Sequence, residues 1–121
     1  MPYSKRQIVE VAFNVNDRIE EHPGVIISVE QVYDQEAFYH CAMISTTTNY
    51  KDRFSFFLSE EDTTNHQLEE GSQVRTHLIT QVKDNHIVSD TPRNHLTTDA
   101  FMRLVDHIDE NVFGLPYEEI I

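Results

Sequence analysis

This chain has no second cysteine. Cys41 stands alone among 121 residues, so no intrachain disulfide can form. A reducing, cytoplasmic setting is the simplest expectation. Glycine is scarce, with only three residues, and no glycine-rich phosphate loop is present. No apolar run approaches the ~20 residues that a membrane span needs. The opening Met1-Pro2-Tyr3-Ser4-Lys5-Arg6 leads into an alternating pattern, not into the apolar stretch of a secretory signal. No His-x-x-x-His or Cys-x-x-Cys spacing occurs, and adjacent His40 and Cys41 point to opposite faces of a strand. No metal site is therefore expected, and no other cofactor is implied. A nucleophile elbow is also missing.

Positive charge is the other shortage. Nine Lys and Arg face 21 Asp and Glu, giving a formal net charge of -12. A surface of that sign repels nucleic acid at long range. The charge is uneven, however. Glu60, Glu61, Asp62, Glu69 and Glu70 fall in a stretch that has no Lys or Arg between Phe54 and Val74. Lys51, Arg53 and Arg75 lie outside it, which leaves room for a locally basic groove on an acidic body.

The length fits one domain over residues 1–121, and 39% hydrophobic residues can fill one core. Ile8 to Phe13 reads as a first strand, with Val9, Val11 and Phe13 on one face. Asn14 to Pro23 is polar and ends in proline, which predicts a loop. Val25 to Val29 is a short β-branched run, hence a buried strand. Val32 to Glu36 reads as a turn-rich connection. Phe38 to Ser45 and Arg53 to Leu58 alternate as further strands, and Gln73 to Val82 is another. Lys83-Asp84-Asn85 predicts a tight turn into His86-Ile87-Val88 and a closing hairpin. The period then changes. Phe101, Leu104, Val105, Ile108 and Val112 form one helical stripe. Thr98 suits the N-cap, Asp99 the first turn, and Gly114 with Pro116 the stop. The expected fold is mainly β: a small antiparallel barrel with strands over about 6–90, partly covered by a C-terminal amphipathic helix over about 98–113.

Three constellations could carry chemistry. Arg75 and His77 are two apart in a strand, so they share a face at roughly 7 Å, opposite Val74, Thr76, Leu78, Thr80 and Val82. A fixed cation beside a group that titrates near neutrality suits phosphoryl chemistry. Ser45-Thr46-Thr47-Thr48-Asn49 follows a strand and can hydrogen-bond a phosphate without net charge. His22-Pro23-Gly24 precedes a buried strand. Taken singly, each also fits a bland reading: a polar sheet face, an ordinary loop, a turn.

The order of these pieces along the chain resembles the MazF/PemK family of toxin endoribonucleases, over roughly residues 6 to 113. The resemblance implies an SH3-like barrel with appended helices, a homodimer, and an antitoxin protein as partner. It also implies metal-free cleavage of single-stranded RNA, in which the ribose 2′-hydroxyl attacks the adjacent phosphate. The family's Arg-Pro before the second strand is His22-Pro23 here. Its Ser/Thr pair at the end of the next strand matches Ser45 and Thr46. The Arg-x-Asp that serves as acid and base in some members matches Arg75-Thr76-His77, with histidine at the base position. A neutral imidazole can take the 2′-hydroxyl proton while Arg75 steadies the charge on the phosphorane. Catalysis is thus expected of Arg75 and His77, and RNA contact of His22, Ser45, Thr46, Thr47, Lys51 and Arg53. The competing expectation is a non-catalytic acidic barrel domain that binds a protein partner.

Overall fold

Apolar alternation along Gln7–Val15 (β1) and Arg18–Ile26 (β2) builds a long antiparallel hairpin, paired from Ile8↔Val25 to Val15↔Arg18. Asn16 and Asp17 close it with positive φ of 52° and 65°, the conformation that two-residue hairpin turns require. The computed structural model describes residues 3–47, 50–88 and 93–114. Asn14–Pro23, expected as a loop, is therefore mostly strand. Its polarity reflects an arm with only one neighbouring strand. Pairing of β2 with Glu36–Ser45 (β4) covers only Gly24↔Met43 to Ile26↔Cys41, so Pro23 sits outside the doubly paired part of β2.

The remaining strands are Gln31–Tyr33 (β3), Ser55–Phe57 (β5), Gln73–Lys83 (β6), Ile87–Val88 (β7) and Asn94–His95 (β8). The order across the antiparallel sheet is β5-β6-β4-β2-β1-β7, with β3 on β4 and β8 on β1. The sheet curls without closing, in keeping with the small antiparallel barrel expected. One expected pairing is corrected. Asp84–His86 form a 3-10 turn rather than a hairpin, and β7 pairs with β1 rather than with β6. Burial of Ile87 beside Val11 carries the chain across to that edge.

Each face of the sheet has its own core. Val25, Ala42, Ile44, Phe56, Leu58 and Val74 pack beneath the helix Thr98–Ile108 (α1), against Ala100, Phe101, Leu104 and Ile108. Val9, Val11, Phe13, Ile26, Tyr39, Cys41 and Val82 fill the inside of the curl. The N-cap of α1 is Thr97, whose hydroxyl accepts from the Ala100 amide, one residue before the expected Thr98. The helix proper ends at Ile108 and a wider turn runs through Asp109–Phe113. Val105, expected on the buried stripe, is exposed. Pro116 lies outside the described residues.

A bulge in β6 sets up the site. Ala42 pairs with Ile79 but Ile44 pairs with Val74, so five steps of β6 oppose two of β4. Five is odd, so the strand changes faces. Val74 and Ile79 both belong to the helix-side core although their parity differs. On the other edge β5 holds Gln73–Arg75 in regular register.

Candidate functional site

The cavity forms where β2 runs on beyond its last pair with β4. Positions of β1, β2 and β4 that share the inner face continue past the apolar filling and line it. It encloses about 710 Å³ between Phe13, Val15, Glu20 and His22 of the hairpin, Met43 and Ser45 of β4, and Arg75, His77 and Thr80 of β6, with Thr47 and Tyr50 at the rim. Five residues expected from the sequence thus converge here: His22, Ser45, Thr47, Arg75 and His77.

Arg75 is only 5% exposed, so its charge must be met inside the protein. Nη1 donates to Asp52 Oδ1 at 3.2 Å, Ser55 Oγ at 2.9 Å and Gln73 Oε1 at 2.9 Å, and Nη2 donates to Asp52 Oδ2 at 2.9 Å. The Tyr50 ring covers the guanidinium at 4.5 Å. The hydrogen bond from Arg75 holds the Asp52 carboxyl below the usual carboxylate range. Gln73, fully buried, extends the network by donating to the carbonyls of Thr47 and Tyr50. That brace fixes the rim that carries Thr47. Arg75 is therefore a rigid, partly neutralised cation and not a mobile arm.

His77 has a different setting. It is exposed, and its ring stacks on Phe54 at 4.6 Å and 33°. Phe54 is held in turn by its carbonyl, which accepts from the Thr76 amide at 3.0 Å and the Thr76 hydroxyl at 2.8 Å. Partial removal from water, with the Arg75 charge second, lowers the His77 pKa from its ordinary value, while Asp52 acts to raise it. The ring is thus neutral near pH 7 and able to accept a proton. Neither ring nitrogen is hydrogen-bonded among the described residues.

His22 stands on the opposite wall, tilted against Phe13 at 6.4 Å. Its Nε2 lies 3.2 Å from Glu20 Oε1. The fixed charges lining the cavity are thus one cation, already met by Asp52, and one carboxylate. The basic groove considered from the sequence is not built here. Binding of an anion would rest on hydroxyls, imidazoles and ring faces rather than on bulk positive charge.

Three expected contacts lie elsewhere. Thr46, adjacent to Ser45 on a pleated chain, turns to the other side and lines a smaller cavity of about 210 Å³ with Ile44, Leu68 and Asn94. Arg53 lies over the Phe54 ring at 5.4 Å and donates to the Asn111 carbonyl at 3.1 Å. Lys51 is exposed and lines neither cavity. Thr48 and Asn49 lie outside the described residues. The sequence reading missed Asp52, Ser55, Gln73 and Tyr50. Only Gln73 carried a local signal, since it precedes Arg75 by two on the same strand face.

A small curled β-sheet thus carries a covering helix on one side and an Arg/His/hydroxyl cavity beside its apolar filling. A family model described as the PemK-like, MazF-like toxin of type II toxin-antitoxin systems matches residues 4–112, and the chain belongs to that family. No curated protein matches it. Among the described residues no helix is long and apolar enough to cross a membrane.

Proposed function

We propose that this toxin-family protein is a metal-independent endoribonuclease that cuts single-stranded RNA in the cytoplasm and is held in check by a cognate antitoxin. The observation that carries the reading is the convergence of Arg75, His77, Ser45 and Thr47 on one cavity. A ribose 2′-hydroxyl placed beside His77 would give its proton to the neutral imidazole. Positioned transfer of this kind contributes ~10²–10⁴ in rate. Arg75, fixed by Asp52, Ser55 and Gln73, supplies a cation that needs no reorganisation as charge builds on the phosphorane. Ser45 and Thr47 offer hydroxyls to the phosphate. The exposed Tyr50 ring can stack a base without regard to sequence. Cleavage leaves a 2′,3′-cyclic phosphate and a 5′-hydroxyl.

Incubation of the purified protein with mixed single-stranded RNA in EDTA tests this. Cleavage that is lost in His77→Ala and Arg75→Ala supports it, and an intact RNA pool rejects it. We also propose a homodimer, following the family resemblance, and sedimentation at micromolar concentration should find twice the 14.2 kDa chain mass.

The pairing of Asp52 with Arg75 favours a second reading, a non-catalytic acidic domain that binds a basic protein. Retention of RNA at low salt, with cleavage, excludes it.

A further inference from the structure

We infer that His22 is the general acid of this cavity, protonating the leaving 5′-oxygen while His77 takes the 2′-hydroxyl proton. The inference rests on the endoribonuclease reading and gives to His22 the step that the resemblance would give to Arg75.

Four observations lead to it. Leaving-group departure needs a proton, and Arg75 is a poor source. Its Nη1 and Nη2 are committed to Asp52, Ser55 and Gln73, and a guanidinium does not surrender a proton near neutral pH. Among the described residues two imidazoles line the cavity, His22 and His77. They stand on walls two strands apart, β2 and β6, with Ser45 of β4 between them. A phosphodiester lying over Ser45 would present one oxygen to each imidazole.

The surroundings divide the roles. The Arg75 cation on the same strand acts on His77, with Asp52 opposing it more weakly, which suits a base that begins neutral. The nearest charge to His22 is Glu20, with Nε2 at 3.2 Å from its carboxylate. Glu10 on the neighbouring β1 adds negative charge near it. A carboxylate on one ring nitrogen orients the ring and balances an imidazolium. Nδ1, without a partner among the described residues, remains for the substrate. One imidazole beside a cation and the other beside a carboxylate is the arrangement an acid–base pair needs.

The step balances. O2′ bonds to phosphorus as its proton passes to His77. The P–O5′ bond breaks with its electron pair going to O5′, and O5′ takes the proton from His22. Solvent exchange then returns a proton to His22 and removes one from His77.

A bridging-sulfur substrate isolates the acid, because a 5′-thiolate leaves without a proton. Cleavage in EDTA of an all-oxygen oligonucleotide would be compared with one carrying a single 5′-phosphorothiolate linkage. His22→Gln should slow the oxygen substrate about 10²-fold or more and the sulfur substrate by less than about threefold, whereas His77→Gln should slow both. His22→Arg, which retains a charge at that position, should behave like His22→Gln, so the outcome does not depend on one variant folding. Equal slowing of both substrates by both His22 variants would assign His22 to binding and overturn the inference while leaving the nuclease intact. A parent protein that cuts neither substrate overturns the nuclease reading and the inference with it.

Discussion

Asp52 and Arg75 meet through two parallel hydrogen bonds, yet the arginine is buried and the aspartate is close to half exposed. The pair thus has a dry end and a wet end. Removing the dry end strands Ser55 and Gln73 as well as Asp52. Arg75→Ala should cost on the order of 2–3 kcal/mol in urea unfolding, beyond any effect on RNA. Asp52→Ala should lower the urea midpoint at pH 7. Because Arg75 depresses the folded-state pKa of Asp52, this stabilisation is present above the unfolded-state value and is lost as pH falls through the lower folded-state value. The difference between parent and variant should therefore shrink below about pH 4.

The His77 pKa is lowered, so its acid limb lies to the acid side of an ordinary histidine's. As a base it works only when neutral. The acid limb of the kcat/KM profile should therefore have its midpoint below the ordinary 6.5. A His77→Asp variant should move that limb toward about pH 4. A limb midpoint at or above 7 in the parent would contradict this assignment.

Phe54 affects His77 without touching substrate chemistry. Phe54→Ala removes a stacked ring worth ~0.5–1.5 kcal/mol. Cleavage should drop roughly fivefold at pH 7 as His77 loses its fixed orientation. The same change re-wets the imidazole, so NMR titration of its ring protons should show the pKa rising back toward the ordinary value.

Gly24 tests the packing behind the cavity. A Cβ there would stand 2.5 Å from Cys41 Sγ and 3.2 Å from the Ala42 carbonyl, and Cys41 is fully buried. Gly24→Ala should destabilise by about 2 kcal/mol through overpacking. Adding Cys41→Ala should restore part of that loss, giving a favourable coupling in a double-mutant cycle. Additive losses would show that the Ala42 carbonyl or the Phe13 ring, at 3.2 and 3.3 Å, is the obstacle and not the sulfur.

The strands were legible wherever one face is apolar and the other polar, as along Val9, Val11 and Phe13. The first half of β2 was not, because an arm with one neighbour can be polar on both faces and still be strand. The pairing of β7 with β1 was hidden for a different reason: it depends on where Ile87 finds a buried partner, far away in sequence. Thr97 and Thr98 are equivalent as N-caps by composition, and only the bond to the Ala100 amide separates them.

For the cavity, period-two geometry was enough to place Arg75 and His77 on one wall. The same rule, applied to Ser45 and Thr46, already separates them. What local pattern could not supply was the counter-charge. Asp52 reaches Arg75 from a different segment, which no local spacing announces. The hydroxyl and amide groups of Ser55 and Gln73 were invisible for the same reason, since they become a network only once β5 lies beside β6.

The uneven register between β4 and β6 has a consequence for how this wall can vary. Deleting one residue between Val74 and Ile79 would make the interval even, and plain alternation would then keep both side chains on the helix side. Val82 and Arg75 would hold their present surfaces, so this wall can lose its kink without turning either one over.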